Sequence, residues 1–331
     1  MLSRDDDFPD SLAGAALTAA GPLLFTGSAL ITDATMAELQ RVLRPGGRVY
    51  LLGGPDAIGG QVEEDVRGRG FEIVRLAGET RVETSIAVAE EVRRLHPDAT
   101  TVALARAAGT QVDPTAGWAD SVTGGAWAAS SQTPVLVTPS DTLHPSVAAA
   151  LQRFAPERTL LLGGTVALSD QIATQITNGL RVSGAERAAT AAAIAEQLWP
   201  TTNRYVAING YSSDGWAYGL AAAGLAADAG APLLLTQRDD VPRASLQLAS
   251  SQCGAGPRLD LLVIGDESVV GGLAVSHFDA ADGGPCPPDP STPRCHCPRA
   301  TKNFAARWGS SSPTLPSTCS SSATAAALMT P

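Results

Sequence analysis

Aromatic residues make up only 5% of this 331-residue chain. A core built on large rings is therefore excluded. The interior has to come from Ala, Val, Leu and Ile, with helices lying close on sheets. No apolar run approaches the roughly 20 residues of a membrane helix, so no helical span is expected. Basic residues are also short, with 23 Lys and Arg against 33 Asp and Glu, a net charge of −10 and a pI near 4.9. That balance excludes a general polyanion binder such as a DNA-binding protein, and leaves room for a local basic patch. Of the five cysteines, only Cys253 lies ahead of a tail that holds Cys286, Cys295, Cys297 and Cys319. The body has no disulfide framework, and the cysteines do not report a compartment. The opening MLSRDDDFPDSLAGAAL puts three aspartates where a signal peptide has its basic region, so no signal peptide is expected.

What the chain has is a 44% hydrophobic content, enough for a substantial core, and a length that suits two or three small domains or one large one. It also has repetition. Residues 75–95, RLAGETRVETSIAVAEEVRRL, read as the end of a strand, a small-residue turn and a helix with Val82, Ile86, Ala89 and Val92 at helical spacing. The same grammar returns in RVSGAERAATAAAIAEQL at 181–198, matching Arg75 with Arg181, Gly78 with Gly184 and Arg81 with Arg187. Three further sets recur in constant order. The first set is FPDS, WADS and WAYG. The second is PLLFT, PVLVT and PLLLT, and the third is VYLLGG, LLLGG and LVIGD. Strand alternates with helix, and the strands are continuous apolar runs, as in parallel sheets covered on both faces.

The expected architecture is therefore α/β: tandem three-layer modules with parallel sheets, arranged as a pseudo-symmetric trimer of modules. The first module spans 1–75 and is incomplete at its front, with only Met1–Arg4 left of an opening strand and an exposed sheet edge expected there. The second spans 76–180 and the third 181–278. Residues 279–331 form a Pro/Ser/Cys-rich tail whose composition predicts disorder. Helices are expected at Asp10–Ala20, Thr35–Leu43, Gln61–Arg69, Pro145–Phe154 and Leu168–Ile176, among others.

These motifs, taken together in their order over roughly residues 1–275, resemble the cell wall-binding repeat 2 family. The resemblance implies a non-enzymatic module of Gram-positive surface proteins. It would lie outside the cell, in the wall, and hold its protein there non-covalently through an anionic secondary wall polymer. A companion effector domain on a longer chain is also implied. The polymer contact is implied to involve the Pro-apolar strands Pro22-Leu23-Leu24, Pro134-Val135-Leu136 and Pro232-Leu233-Leu234, together with Arg81 and Arg187. The chain departs from the pattern at Tyr218, which stands where Asp10 and Asp120 supply an acid, and at Gly265-Asp266, which replaces Gly-Gly.

Read by themselves, the candidate residues admit plainer roles. The loops at Gly53-Gly54 and Gly163-Gly164 suit a tight strand-to-helix turn, or a phosphate held on backbone amides. Neither is G-x-G-x-x-G, and no Walker lysine follows. Arg81 and Arg187 stand near helix N-termini, where the macrodipole disfavours a cation, so an ion pair or packing between modules competes with polymer contact. Asp10 and Asp120 read as N-caps, and Phe8, Trp118 and Trp216 as packing residues. Catalysis finds little support. Gly210-Tyr-Ser-Ser-Asp-Gly lacks the G-x-S-x-G spacing, and His96, His144 and His277 follow no repeat. Cys295-His296-Cys297 lacks a zinc spacing. No cofactor, metal, nucleic acid or membrane insertion is expected. The rival readings are a nucleotide- or sugar-processing α/β enzyme and a structural surface scaffold.

Overall fold

In chain order the first module runs β1 (Leu2–Arg4), β2 (Leu24–Thr26), α1 (Asp33–Val42), β3 (Arg48–Leu52), α2 (Gly60–Gly68) and β4 (Glu72–Leu76). The second runs α3 (Arg81–Leu95), β5 (Thr101–Arg106), α4 (Ala119–Ser131), β6 (Val135–Thr138), α5 (Pro145–Phe154), β7 (Arg158–Leu162), α6 (Asp170–Ala173) and β8 (Gly179–Val182). The third runs α7 (Arg187–Leu198), β9 (Arg204–Asn209), α8 (Gly215–Ala229), β10 (Leu233–Thr236), α9 (Arg243–Ser251), β11 (Asp260–Val263) and α10 (Gly272–Asp282). This is a computed structural model, and it describes residues 1–199, 202–251 and 259–282. All five cysteines, the Cys295-His296-Cys297 run and the tail beyond Asp282 lie outside the described residues. α10 runs to Asp282, past the limit of 278 read for the third module.

Each module is a parallel sheet with the first strand of the unit inside it. The orders are β2-β1-β3-β4, β6-β5-β7-β8 and β10-β9-β11. This corrects the expected exposed edge at the front of the chain. β1 pairs with β2 on one side and β3 on the other, so Leu2–Arg4 is an interior strand despite its three residues. In β3, alternation splits the side chains between two layers. Val49 and Leu51 join Leu39, Val62 and Val66 under α1 and α2, whereas Tyr50 and Leu52 face Leu17 and Val88.

That second layer is shared by the whole molecule. One continuous core joins Leu17, Val88, Val122, Trp118, Leu220 and Trp216, which come from all three modules. At its centre the 3-10 helix Gly14–Ala20, α4 and α8 pack on one another about the pseudo-threefold axis. Small residues make this possible. A Cβ on Gly125 would lie 2.5 Å from Ala15 Cβ, and one on Gly219 would lie 2.3 Å from Val122 Cγ1. The backbones are too close for any side chain at these positions.

Some elements differ from the pattern expected of them. Asp10–Ala20 is wound as two 3-10 segments, Pro9–Ser11 and Gly14–Ala20. Thr18 Oγ1 donates to Ala15 O at 2.6 Å, the three-residue spacing of the tighter helix. α1 starts at Asp33 rather than Thr35, because Thr32 Oγ1 accepts from Thr35 N at 3.1 Å and so caps the earlier turn. α6 is cut to four residues. Pro145–Phe154 is a helix with the bounds expected of it.

Candidate functional site

The opening helices α3 and α7 start at the two singled-out arginines, and each bridges two modules. α3 packs on the 3-10 helices of the first module and on β6 and α5 of its own. α7 packs on α4 of the second module and on β10 and α9 of the third. Arg81 and Arg187 therefore stand at module boundaries. Both guanidinium groups donate through Nη1 to the carbonyl just past the end of a central strand, Arg81 to Ala107 O at 3.0 Å and Arg187 to Gly210 O at 2.7 Å.

Beyond that bond the two differ. Arg187 Nη2 also meets Asp113 Oδ2 at 2.6 Å and Thr115 Oγ1 at 3.0 Å. Its side chain is only 13% exposed and lies near the rings of Trp118 and Tyr211. Burial works against the charge of Asp113, but the hydrogen bond from Thr115 and the charge of Arg187 together hold its carboxyl below the ordinary range. Arg81 has no such ion pair among the described residues. It borders an open groove of about 360 Å³ between the first and second modules, whose wall also includes Arg4, Asp7, Asp10, Asp56 and Glu79. Arg4 is held by Asp6 through bonds of 2.6 and 2.8 Å, which keep the Asp6 carboxyl below its usual range. The groove wall thus carries two guanidinium groups and four carboxylates.

At the boundary of the second and third modules the equivalent polar groups are shut in. Arg106 Nε and Nη1 and Trp118 Nε1 are buried without a hydrogen-bond partner among the described residues. Asp120 is 6% exposed, and its carboxyl is pushed up to about 6 by burial, against the pull of Arg106 and Arg187. The third boundary is aromatic. Phe8 lies 5.9 Å from Trp216, and Phe25 meets the same ring edge-on at 5.5 Å.

Asp10 and Asp120 are not N-caps. Asp10 lies within Pro9–Ser11, which Phe8 precedes, and Asp120 lies within α4, behind Trp118. Their carboxylates instead press on the glycine loops. A Cβ on Gly53 would lie 2.7 Å from Asp10 Oδ2, and one on Gly163 would lie 2.4 Å from Asp120 Oδ2. The loop glycines have φ of +100° and +102°, a region side chains avoid. Their amides donate to Leu76 O and Val182 O, so the first amide of each loop belongs to the sheet and not to a phosphate cradle. The loop carbonyls are held by Arg75 and Arg181 at 2.9 and 3.0 Å. The Ser212 turn is set by Asn209 Oδ1, which accepts from Tyr211 N and Ser212 N at 3.0 and 3.1 Å, and this is an Asn turn rather than a nucleophile elbow.

The strand candidates lie mostly inside. Pro134, Val135, Leu136, Pro232, Leu233 and Leu234 are buried, as is Leu23, so direct contact with a polymer is closed to them in the folded chain. Pro22 is exposed and Leu24 half-buried. Sequence reading passed over Arg4, Arg106 and Asp113. For the first two a signal exists: Arg4 and Arg106 both pair with the last Thr of the neighbouring strand, Thr26 and Thr138, in the register where the third copy pairs Asn209 with Thr236. Among the described residues no group of three or more His, Cys, Asp or Glu is arranged to hold a metal, and no helix is long and apolar enough to cross a membrane.

Three like α/β modules closed about one axis define a tandem-repeat protein built on a shared core. The profile of the family described as Cell wall binding domain 2 matches residues 2–63, 75–173 and 181–275, and the chain belongs to this family. Its fold is that of two Clostridium difficile proteins of known structure. For Cwp6 the TM-score is 0.70 at 23% identity, over 83% of this chain and 43% of that one. For Cwp8 it is 0.72 at 20% identity, over 85% and 47%. The N-acetylmuramoyl-L-alanine amidase LytC of Bacillus subtilis (strain 168) is 24% identical over 231 residues, 70% of this chain and 43% of LytC. The chain spans less than half the length of each of these proteins. Membership of the family carries association with the cell wall.

Proposed function

We propose that this chain is a non-catalytic anchor that attaches to the wall non-covalently by gripping an anionic secondary wall polymer in the groove between the first and second modules. The observation that supports this most is the contrast between the two arginines. Arg187 is tied by Asp113, Thr115 and Gly210 into the join of two modules, whereas Arg81 spends one bond on Ala107 O and borders open space. A guanidinium with free donors suits a carboxylate or phosphate of the polymer, and Arg4 stands on the same wall. In this reading Arg187 holds the join of the second and third modules, and the buried Pro-apolar strands build the sheets.

The groove carboxylates and the net charge of −10 give little long-range attraction. Binding therefore depends on close fit along the polymer and on the sugars between its charges. In this reading the wall lies outside the cell, and an effector domain on a longer chain is what the anchor retains.

Sedimentation with purified Gram-positive walls tests this. Walls stripped of their anionic polymers should lose the chain, and Arg81→Ala should weaken capture by untreated walls about tenfold, as for one charge-assisted contact. Undiminished binding to stripped walls refutes the polymer reading, and unchanged capture of the Arg81 variant refutes the site.

A further inference from the structure

The groove that Arg81 borders is open where its counterpart is closed, and one loop makes the difference. Residues 5–7 join β1 to Phe8, whereas residues 107–117 join β5 to Trp118. The longer loop carries Asp113 and Thr115 onto Arg187 and closes the boundary of the second and third modules. Among the described residues no acid pairs with Arg81 in that way. The space left beside it is about 360 Å³, within the range of small-ligand sites.

This space is acidic, and most of its acids are particular to it. The motifs RLAGETR and RVSGAER match Glu79 with Ala185. LLGGPDA and LLGGTVA match Asp56 with Val166, and FPDS and WADS set Asp7 against Gly117. Of the four, only Asp10 has an acid as its counterpart, Asp120. The backbone does not require the added acids. Gly53 and Gly163 have nearly the same φ, and α7 starts at Arg187 as α3 starts at Arg81. Nor does Arg4 need them, since Asp6 already pairs with it. Asp10, Asp56 and Glu79 have no hydrogen bond or ion pair among the described residues, and the last two are exposed.

We infer that this groove takes a zwitterionic repeat unit, in which a free amine stands beside the anionic group. The inference rests on the reading of the groove as the wall-polymer site. A unit with anions alone would meet one guanidinium with unused donors among several carboxylates, and like charges brought together cost binding. In a unit of both signs the anion meets Arg81 and the ammonium meets Asp56 and Glu79. An ammonium is a compact, strongly hydrated charge, which suits an open groove better than a sealed boundary. An amino sugar with its amine free, or an aminoacyl ester on the polymer, supplies the same pair of charges.

Sedimentation with purified Gram-positive walls tests the inference. N-acetylation of the walls with acetic anhydride caps their amines and leaves phosphates and carboxylates in place, and it should weaken capture about tenfold. Mild alkali removes ester-linked aminoacyl groups. A matching loss after alkali assigns the amine to an ester, and loss by acetylation alone assigns it to an amino sugar. The double variant Asp56→Asn/Glu79→Gln, with its fold checked by thermal melting, should also bind untreated walls about tenfold more weakly, and should lose nothing further on acetylated ones. Tighter or unchanged capture of this variant overturns the inference, because the acids then only repel. Capture indifferent to acetylation overturns it too. If polymer-stripped walls still lose the chain in that case, the anchor reading stands and only the amine falls. Capture abolished by EDTA overturns the inference in favour of a divalent cation bridging the acids to the polymer.

Discussion

Asp120→Asn should stabilise this protein at neutral pH, although it removes an acid facing two arginines. The carboxyl is buried in α4 against the Gly163 loop, and burial pushes it up to about 6 despite Arg106 and Arg187. In the unfolded chain it titrates near 3.9. Between roughly pH 4 and 6 the folded state thus holds a proton that the unfolded state has released. The contribution of Asp120 to stability is therefore fully present below about pH 4 and is lost as pH rises through the folded value. The difference of about two pH units corresponds to about 3 kcal/mol. The attraction of both arginines is already contained in the shift, so no separate correction for an unpaired Arg106 applies. Asparagine mimics the protonated form at every pH. Urea denaturation of both proteins at several pH values from 4 to 7.5 is the assay. The variant should match the parent near pH 4 and exceed it by about 3 kcal/mol at pH 7.5, a rise in Tm of roughly 6–10 °C. A variant less stable than the parent at pH 7.5, or a difference that does not change with pH, refutes the reasoning.

Arg187→Ala should cost about 2–3 kcal/mol in urea, because it strips Asp113, Thr115 and the Gly210 carbonyl of one shared donor. In that background Asp113→Asn should add little, and additive losses would show that the two groups do not act together. Gly125→Ala should cost about 1–3 kcal/mol, since its Cβ would fall 2.5 Å from Ala15 Cβ. Gly54→Ala, where a Cβ meets nothing within 4 Å, should stay within about 0.5 kcal/mol, and equal effects in the two would contradict the close approach of the central segments.

The tandem α/β plan was legible because buried parallel strands leave uninterrupted apolar runs, so PLLFT, PVLVT and PLLLT align by eye. Packing as an alternative role for Phe8, Trp118 and Trp216 was legible for the same kind of reason, from large rings at one place in each repeat. The loop-facing role of Asp10 and Asp120 was not. An acid ahead of small residues has the pattern of a cap, and only the tertiary approach of Gly53 and Gly163 shows where the carboxylate goes. The split between Arg81 and Arg187 was also hidden. It turns on Asp113, which lies 74 residues from Arg187 in the chain, and no local pattern joins them. The interior place of β1 was hidden because three residues carry almost no periodicity, and pairing on both sides is decided by strands drawn from elsewhere.

The aromatic seam at the first and third modules has a consequence for synthesis. Phe8 and Phe25 leave the ribosome early, and Trp216 follows after most of the chain has been made. Each sheet pairs strands close in sequence, but the seam joins distant segments and must meet a larger loop-closure cost before it is rewarded. Until α8 emerges, Thr18 and Phe8 lack the cover that Gly224 and Trp216 of the third module give them. A ribosome stalled before α8 should therefore present the first module in a form that proteases cut more readily than the complete chain.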